Sequence, residues 1–352
     1  MNPTRTMDIL RFVAAAAVTV LSLVMMGRAD PLPAADPVSL PPPRTSESLK
    51  DLTNSVRMLM DEPLRDPSIC LGPDGTYYLT GTSEPFWGFN NANGIRVWRS
   101  ADMLKWEPLG TVWRCGDSPW HKPYLEAKKP LWAPEIHYTK GTFWLTYSMP
   151  GWQVEDHFEN CGSGLLRSTT GKPEGPYVDV SPLERLGDEI DASLFEDDDG
   201  TLYFVWHCGK IRRLKPDGSG PAEPMRKLTL SVPDPDPAHH ADLCRMVHGP
   251  GSFDHIGYEG AFLLKIGGTY ILAGSDHYEG GKYTCWIATS KNVYGPYGAR
   301  YPAIPYGGHN MFFQDKEGQW WSTLFNGPIN ERPGILPVEI QSNGQVSLRN
   351  AK

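Results

Sequence analysis

The stretch "LRDPSICLGPDGTYYLTG" (residues 64–81) is typical of a β-hairpin, because an apolar segment leads into a turn at Gly75 and an aromatic strand follows. The same unit recurs in "TKGTFWLTYSMP" (139–150), "DDDGTLYFVWHC" (197–208), "KIGGTYILAGSD" (265–276) and "DKEGQWWSTLFN" (315–326). The turn glycines are Gly75, Gly141, Gly200, Gly268 and Gly318, at an uneven spacing of 50 to 68 residues. Repeats of this size, each with a glycine turn and an aromatic strand, indicate propeller blades.

A polar or aromatic residue stands nine positions before each turn glycine. The five residues are Asp66, Trp132, Asp191, Glu259 and His309. In a propeller, the first strand of every blade lines the central axis, and all the first strands run in the same direction. Equal offsets therefore predict one ring of these side chains at one end of the axis. Three carboxylates in a concave site indicate chemistry more often than architecture.

A second half-repeat follows the hairpins, as in "IRVWRSADMLKWEPLG" (95–110) and "CWIATSKNVYGPYGA" (285–299), and it supplies two further strands per blade. We therefore predict an all-β fold, a five-bladed β-propeller with four antiparallel strands per blade, as one domain over residues 49–352. The predicted blades span 64–113, 130–181, 189–230, 257–300 and 307–346. The connection 231–257 carries four histidines and no strand pattern, and connections of this length are usually functional or mobile.

The first 29 residues have the pattern of a signal peptide. Arg5 and Arg11 precede the apolar stretch 12–26, and "GRA" before Asp30 fits a cleavage site for small residues. Residues 30–48 are rich in proline and predict a linker or disordered lead. We therefore expect an exported protein, periplasmic or secreted, whose mature chain has no membrane span.

Composition excludes some functions and leaves others open. The net charge is −8 and no basic stripe is present, so nucleic acid is not an expected partner. The six cysteines match no zinc motif. Three of them, Cys115, Cys161 and Cys244, stand in predicted loops, where an exported protein can form disulfides.

The three carboxylates of the predicted ring suit the hydrolysis of a glycosidic bond. One carboxyl group protonates the leaving oxygen, while a second activates water or attacks directly. A third carboxylate nearby raises the pKa of the acid, because like charges at close range cannot all ionise cheaply. Metal hydrolysis would require more histidines in the same register, and no Ser–His–Asp set stands out.

Five stretches in chain order resemble glycoside hydrolase family 43, the five-bladed propeller arabinofuranosidases, xylosidases and arabinanases. They are "LRDPSI" (64–69), "LWAPEIHY" (131–138), "IDASLFEDDDGTLYFVW" (190–206), "YEGAFLLKIGGTYIL" (258–272) and "GHNMFFQDKEGQWW" (308–321). The resemblance implies an inverting mechanism on plant-type or algal-type oligo- and polysaccharides. It places the general base at Asp66 and the general acid at Glu259. Asp191 is then the residue that tunes the pKa of the acid.

Further residues are expected to bind the substrate. The resemblance implies that Trp132 walls the sugar pocket, that Glu135 supports the strand end or the substrate, and that His309 helps to hold a structural calcium ion or water near the axis. The hydrogen-bonded alternative for His309 stays open, and no cofactor is expected to be required. Phe86 and Trp87, in the loop after the first hairpin, are candidates for stacking on a sugar. Arg332 is a candidate for reaching the pocket.

Two other functions remain open at this stage. A retaining, fructosidase-type propeller would use Asp66 as its nucleophile, although its "NDPNG" context is absent from "LRDPSI". A carbohydrate-binding propeller without catalysis would fit the fold, but the loss of a ring carboxylate would favour it and all three are present. No local feature specifies which sugar is cleaved, and an α-L-arabinofuranosidase or a β-xylosidase is expected.

Overall fold

The five turn glycines all adopt the left-handed backbone conformation that their hairpins require. Their φ angles lie between 72° and 79° in the computed structural model, and glycine enters this region without steric cost. The structure describes residues 55–88, 94–154, 157–242, 248–249, 251–278 and 281–349. Within these ranges the hairpins lie where the repeats predict them.

The strands form five antiparallel blades. Blade 1 contains β2 (Leu64–Leu71), β3 (Tyr77–Ser83), β4 (Gly94–Ser100) and β5 (Glu107–Arg114), and blade 2 contains β6 (Trp132–Thr139), β7 (Thr142–Met149), β10 (Gly162–Ser168) and β11 (Tyr177–Asp179). Blade 3 contains β12 (Ala192–Glu196), β13 (Leu202–Trp206), β14 (Lys210–Arg213) and β15 (Arg226–Lys227), and blade 4 contains β16 (Glu259–Ile266), β17 (Thr269–Tyr278), β18 (Lys282–Ser290) and β19 (Tyr301–Ile304). The predicted end of blade 4 at residue 300 is therefore too early, because β19 follows it.

Blade 5 is closed by both ends of the described chain. It contains β20 (Phe312–Gln314), β21 (Trp320–Leu324) and β22 (Gly334–Ile340). The outer edge of β22 pairs with β1 (Arg57–Met58) near its start and with β23 (Val346–Leu348) near its end. The predicted limits of 307–346 miss the contribution of β1, because two residues carry no readable strand pattern.

Few elements of the described residues lie outside the blades. A hairpin of β8 (Trp152–Val154) and β9 (His157–Glu159) extends from blade 2. A helix, α1 (Lys122–Glu126), and a 3-10 turn (Pro119–His121) lie between blades 1 and 2, and two further 3-10 turns span Pro237–His239 and Gly327–Ile329.

The hydrophobic core lies between the blades. Five clusters of buried side chains each combine residues from two neighbouring blades, including the pair formed by blades 5 and 1. Their members include the fully buried Trp144, Trp206 and Trp286. This closed ring of interfaces is the arrangement of a five-bladed β-propeller, and the predicted fold is confirmed.

The hairpins differ in the length of their turns, and this difference sets the register at the axis. In blades 2 and 4 the turn has two residues, because Thr139 pairs with Thr142 and Ile266 with Thr269. In the other blades three residues stand between the last hydrogen-bonded pair, as between Asp315 and Gln319. A position nine residues before the turn glycine therefore lies one residue earlier along the first strand in blades 2 and 4.

Several sequence-based predictions fall on the ends or the loops of the chain. The signal peptide (1–29), the lead (30–48) and Cys244 lie outside the described residues. Cys115 and Cys161, which we considered as disulfide partners, are free thiols. In the part of the chain that the structure describes, no helix has the length and apolar composition of a membrane span.

Candidate active site

A pocket opens where the first strands of all five blades begin. All five residues predicted from the nine-residue offset line it, together with side chains from the first blade and Ile190. The lining consists of Arg65, Asp66, Thr82, Phe86, Trp87, Trp132, Ile190, Asp191, Glu259 and His309. The predicted ring is therefore a single concave site.

The five side chains reach this pocket from two positions along their strands. The equivalent residues of the five blades share positive φ angles of 44° to 65°, and they are Asp66, Ala133, Asp191, Gly260 and His309. Trp132 and Glu259 stand one residue earlier, where blade 1 has Arg65, blade 3 has Ile190 and blade 5 has Gly308. The expectation of one shared position is thus wrong for Trp132 and Glu259, because their hairpins have the shorter turn.

Hydroxyl groups from the neighbouring blade hold this unusual backbone. The N–H of Ala133 donates to Thr82 Oγ1 at 2.7 Å. The N–H of Asp191 donates to Ser148 Oγ at 2.8 Å. The N–H of His309 donates to the buried Ser275 Oγ of β17 at 2.5 Å. Blades 2, 3 and 5 are therefore each tied to the preceding blade by a bond of this kind. These bonds position the site and connect the blades.

Asp66 is held by one of these hydroxyl groups and faces a histidine. Thr82 Oγ1 donates to Asp66 Oδ2 at 2.6 Å. The other oxygen, Oδ1, lies 3.4 Å from His309 Nδ1. The Asp66 side chain is 12% exposed, so the carboxylate is oriented by the protein and still borders the pocket.

Asp191 has the lowest solvent exposure of the three carboxylate residues Asp66, Asp191 and Glu259. Its side chain is 4% exposed, its Oδ2 accepts from the N–H of Gly260 at 3.1 Å, and the same oxygen lies 3.6 Å from His309 Nδ1. Burial raises the pKa of Asp191 to about 8; the positive charge of His309 opposes this shift, and the charges of Glu259 and Asp66 add to it.

Glu259 opens β16 and is held by a phenol. Tyr283 Oη donates to Glu259 Oε1 at 2.8 Å. Burial raises the pKa of Glu259 above its ordinary value, and Asp66 adds to this shift, while His309, Tyr283 and Arg65 oppose it. A raised pKa lets a carboxyl group keep its proton at a higher pH than usual, which is a property of general acids.

His309 supplies positive charge at the centre of the carboxyl groups. Burial by itself would lower the pKa of the imidazole, but Asp191, Asp66 and Glu259 together raise it to about 9. An imidazolium is a hydrogen-bond donor at both ring nitrogens. The Nδ1 atom faces Asp66 and Asp191 and therefore links two of the three catalytic candidates.

Comparison with known proteins identifies the family of this pocket. A sequence model of the glycosyl hydrolases family 43 matches residues 59–345. The chain belongs to glycosyl hydrolase family 43. It is 27% identical over 290 residues to a non-reducing end α-L-arabinofuranosidase of Bacteroides ovatus, a match that covers 78% of this chain and 46% of that protein. It is 24% identical over 285 residues to a xylan 1,3-β-xylosidase of a Vibrio species, with coverage of 73% and 46%.

The family 43 chain spans about half the length of the curated relatives that it matches. A solved structure of a GH43_1 enzyme from Xanthomonas citri, complexed with xylose, superposes with a TM-score of 0.60 at 21% identity. This match covers 86% of this chain and 97% of that one. The structural likeness supports the shared fold.

An aromatic wall borders one side of the family 43 pocket. The ring of Trp132 packs edge-to-face against Trp87 at 5.3 Å and against Phe158 at 5.4 Å, and its Nε1 donates to the carbonyl oxygen of Phe86 at 2.5 Å. Trp87 is 70% exposed although it lines the pocket. Trp132 is therefore fixed, whereas Trp87 presents a large free apolar surface.

Arg65 is a pocket residue that the nine-residue offset does not find. Its guanidinium lies 5.1 Å from the ring centre of Trp87 and 5.0 Å from that of Phe325, and its Nε lies 3.2 Å from Glu331 Oε2. The signal that could have found it is the turn length, because Arg65 occupies in blade 1 the position of Glu259 in blade 4.

Two predicted substrate-binding residues stay outside the pocket lining. Glu135 is buried on β6, and its Oε2 lies 2.9 Å from His137 Nε2. Arg332 donates from Nε to Asp61 Oδ1 at 2.6 Å and from Nη1 to a backbone carbonyl. Each side chain has a partner in the protein, and neither is part of the pocket lining.

The described residues of the connection 231–257 pack against blade 4. Within its described residues, donor atoms of His240 and His255 come within 4.8 Å of each other and of Asp276, a spacing that would suit a metal ion. The guanidinium of Arg300 already lies there, because Nη1 donates to Asp276 Oδ2 at 2.8 Å and Nη2 lies 3.1 Å from His240 Nδ1. The arginine supplies the positive charge that a cation would bring, so this cluster anchors the connection.

Proposed function

We propose that this family 43 chain is a glycosidase that hydrolyses O-glycosidic bonds with inversion at the anomeric carbon. The observation that carries the proposal is the convergence of Asp66, Asp191 and Glu259 on one pocket, with the histidine between two of them. Hydrolysis of a glycosidic bond requires an acid and a base on opposite faces of the sugar, and this pocket offers candidates for both.

In the proposed reaction, Glu259 donates its proton to the glycosidic oxygen as the bond to the anomeric carbon breaks. Asp66 removes a proton from a water molecule, and the oxygen of this water bonds to the anomeric carbon from the opposite face. The products are the alcohol of the leaving group and a sugar of inverted configuration. Transfer of the proton from Asp66 to solvent, and of another from solvent to Glu259, restores the starting state.

Asp191 is proposed as the residue that tunes and positions the acid. It is buried, its backbone is tied to Ser148, and its carboxyl group accepts from the N–H of Gly260, the residue that follows Glu259. A shift of Asp191 is therefore transmitted directly to the start of β16. This contact supports a role in orientation in addition to the electrostatic one.

The sugar is proposed to lie against Trp132, with Trp87 and Phe86 on the same side and His309 opposite the aromatic wall as a donor to sugar hydroxyl groups. Stacking on aromatic faces and charged hydrogen-bond donors are common means of holding carbohydrates. The named activities of the relatives favour an α-L-arabinofuranosidase or β-xylosidase specificity on plant-type oligo- or polysaccharides.

No cofactor is proposed for the reaction. His309 Nδ1 lies 3.4 Å from Asp66 Oδ1 and 3.6 Å from Asp191 Oδ2, so the imidazole can hold these carboxylates by itself and the reaction needs no calcium ion. Activity should be unchanged after treatment with EDTA and after the addition of calcium. A loss of activity with EDTA that calcium restores would contradict this proposal.

We also propose that the protein is exported, to the periplasm or the medium, on the basis of the pattern in residues 1–29. Polysaccharide substrates are found outside the cell, which agrees with this location. Mass spectrometry of the exported protein should find Asp30 or a close neighbour at the N-terminus. An exported protein that retains Met1 would contradict cleavage.

A panel of aryl glycosides tests the proposed function, with the anomer of the first product followed by NMR. Hydrolysis of an arabinofuranoside or xyloside with inversion is expected. Product of retained configuration would favour the fructosidase-type mechanism with Asp66 as the nucleophile. Binding of oligosaccharides without hydrolysis of any aryl glycoside would favour a binding propeller.

A further inference from the structure

Four blades present a side chain to the pocket at one equivalent position, and these residues are Arg65, Trp132, Ile190 and Glu259. Blade 5 presents none there, because its equivalent residue is Gly308. A Cβ atom on Gly308 would lie 2.3 Å from the ring of Tyr283. The tyrosine ring thus lies against the bare backbone of Gly308 and occupies the side-chain space of blade 5. From there its hydroxyl group reaches Glu259.

We propose that Tyr283 is a positioning residue that orients the carboxyl group of Glu259 for proton donation. The bond from Tyr283 Oη to Glu259 Oε1 is 2.8 Å long. It engages one carboxyl oxygen and leaves the other, Oε2, to carry the proton toward the leaving group. The inference rests on the proposed role of Glu259 as the general acid.

The tyrosine is fixed from its other sides as well. Its ring centre lies 6.1 Å from that of Tyr258 and 6.2 Å from that of Phe325. Ala241, from the connection 231–257, packs in the same small cluster, and its N–H donates to Asp276 Oδ1 at 2.7 Å. The connection therefore supports the wall behind the acid, which gives this long segment a function in the site.

The charges around the pair agree with this role. The groups that face Glu259 or Tyr283 are Arg65 and Asp66 from blade 1, Asp191 from blade 3, Tyr258 at the start of blade 4 and His309 from blade 5. Burial and the charge of Glu259 raise the pKa of Tyr283 well above 10. The phenol therefore keeps its proton and remains a donor over the whole working range of pH.

The test compares Tyr283→Phe with the unchanged protein on aryl glycosides that have good and poor leaving groups. The tyrosine stabilises the ionised form of Glu259, so its loss should raise the pKa of the acid. The alkaline limb of kcat/KM should then move upward by about one pH unit. At the pH optimum, kcat should fall about tenfold for poor leaving groups and less than about threefold for good ones, which need little protonation.

Tyr270→Phe is the matched control, because Tyr270 lies in blade 4 like Tyr283 and also donates to a carboxylate, Asp197 Oδ2 of blade 3 at 2.6 Å, but outside the pocket. It should leave both the pH profile and the dependence on the leaving group unchanged. Equal losses for good and poor leaving groups in Tyr283→Phe, with an unmoved alkaline limb, would overturn the inference and indicate a packing role.

Two further measurements keep the inference separate from folding and from the proposed function. If Tyr283→Phe does not fold, 3-fluorotyrosine at position 283 should move the alkaline limb downward, because its more acidic hydroxyl donates more strongly. An unmoved limb would contradict the inference. If no glycoside is cleaved by the unchanged protein, the proposed function fails. In that case infrared spectroscopy tests the inference directly. The carboxylic-acid band of Glu259 is identified as the band that Glu259→Gln removes, and its pH titration is compared in the unchanged protein, in Tyr283→Phe and in the fluorotyrosine variant. A titration that does not shift would overturn the inference.

Discussion

Substitution of Thr82 by valine should affect both stability and catalysis, because one buried hydroxyl serves two partners. It donates to Asp66 Oδ2 at 2.6 Å and accepts from the N–H of Ala133 at 2.7 Å. Valine has nearly the same shape and makes neither bond. The unsatisfied N–H costs about 1–3 kcal/mol, and the lost bond to a partly exposed carboxylate costs about 1 kcal/mol more. We expect a loss of roughly 2–4 kcal/mol in the free energy of unfolding.

Denaturant and thermal melts measure this loss. Unfolding entropy scales with chain length, so a chain of this size should lose about 3–7 °C in its melting temperature. Because Asp66 would no longer be held, kcat should fall about tenfold with little change in KM, in line with a residue that acts on the proposed base.

Thr146→Val provides the matched control for this prediction. Thr146 Oγ1 also bridges two blades, since it donates to the carbonyl of Ala192 at 2.5 Å and accepts from the N–H of Glu135 at 3.2 Å, but it touches no pocket carboxylate. It should lose stability and retain kcat. A change of less than about 0.5 kcal/mol in Thr82→Val, or an equal fall of kcat in both variants, would refute the reasoning.

Three further predictions follow from the site. Glu259→Ala should lose about 10²–10⁴-fold in kcat on substrates with poor leaving groups and far less on activated aryl glycosides; equal losses in a steady-state comparison would remove Glu259 from the role of acid. Trp87→Ala should raise KM several-fold with kcat retained, because the exposed ring contributes contact area, and an unchanged KM would exclude it from substrate binding. The folded-state pKa of His309 is raised to about 9, so its contribution to stability is complete below the unfolded pKa and is lost as pH rises through 9. His309→Gln should flatten that part of the curve of unfolding free energy against pH, and an unaltered slope would contradict the shift.

Much of the fold was readable because the repeating unit is local. A turn glycine and an aromatic strand lie within a dozen residues of each other, so each hairpin is determined by contacts that the sequence displays directly. The position of Asp66, Asp191 and Glu259 within this local unit also predicted that they lie near the axis, where they line one pocket. The five similar motifs in chain order then agreed with the family that the comparison assigned.

The tertiary structure decided what depends on contacts between blades. Arg65 lines the pocket because of the turn length of its hairpin, and Tyr283 reaches Glu259 because Gly308 leaves room for its ring. Neither residue is visible as a pattern in one hairpin. Arg332 is expected from the sequence to reach the pocket, and in the structure it pairs with Asp61 from the far end of the described chain. Sequence spacing determines which way a strand side chain points, whereas its partner is set by packing between residues far apart in the chain. The hydrogen bond from Tyr283 to Glu259, which orients the proposed acid, is set by such packing.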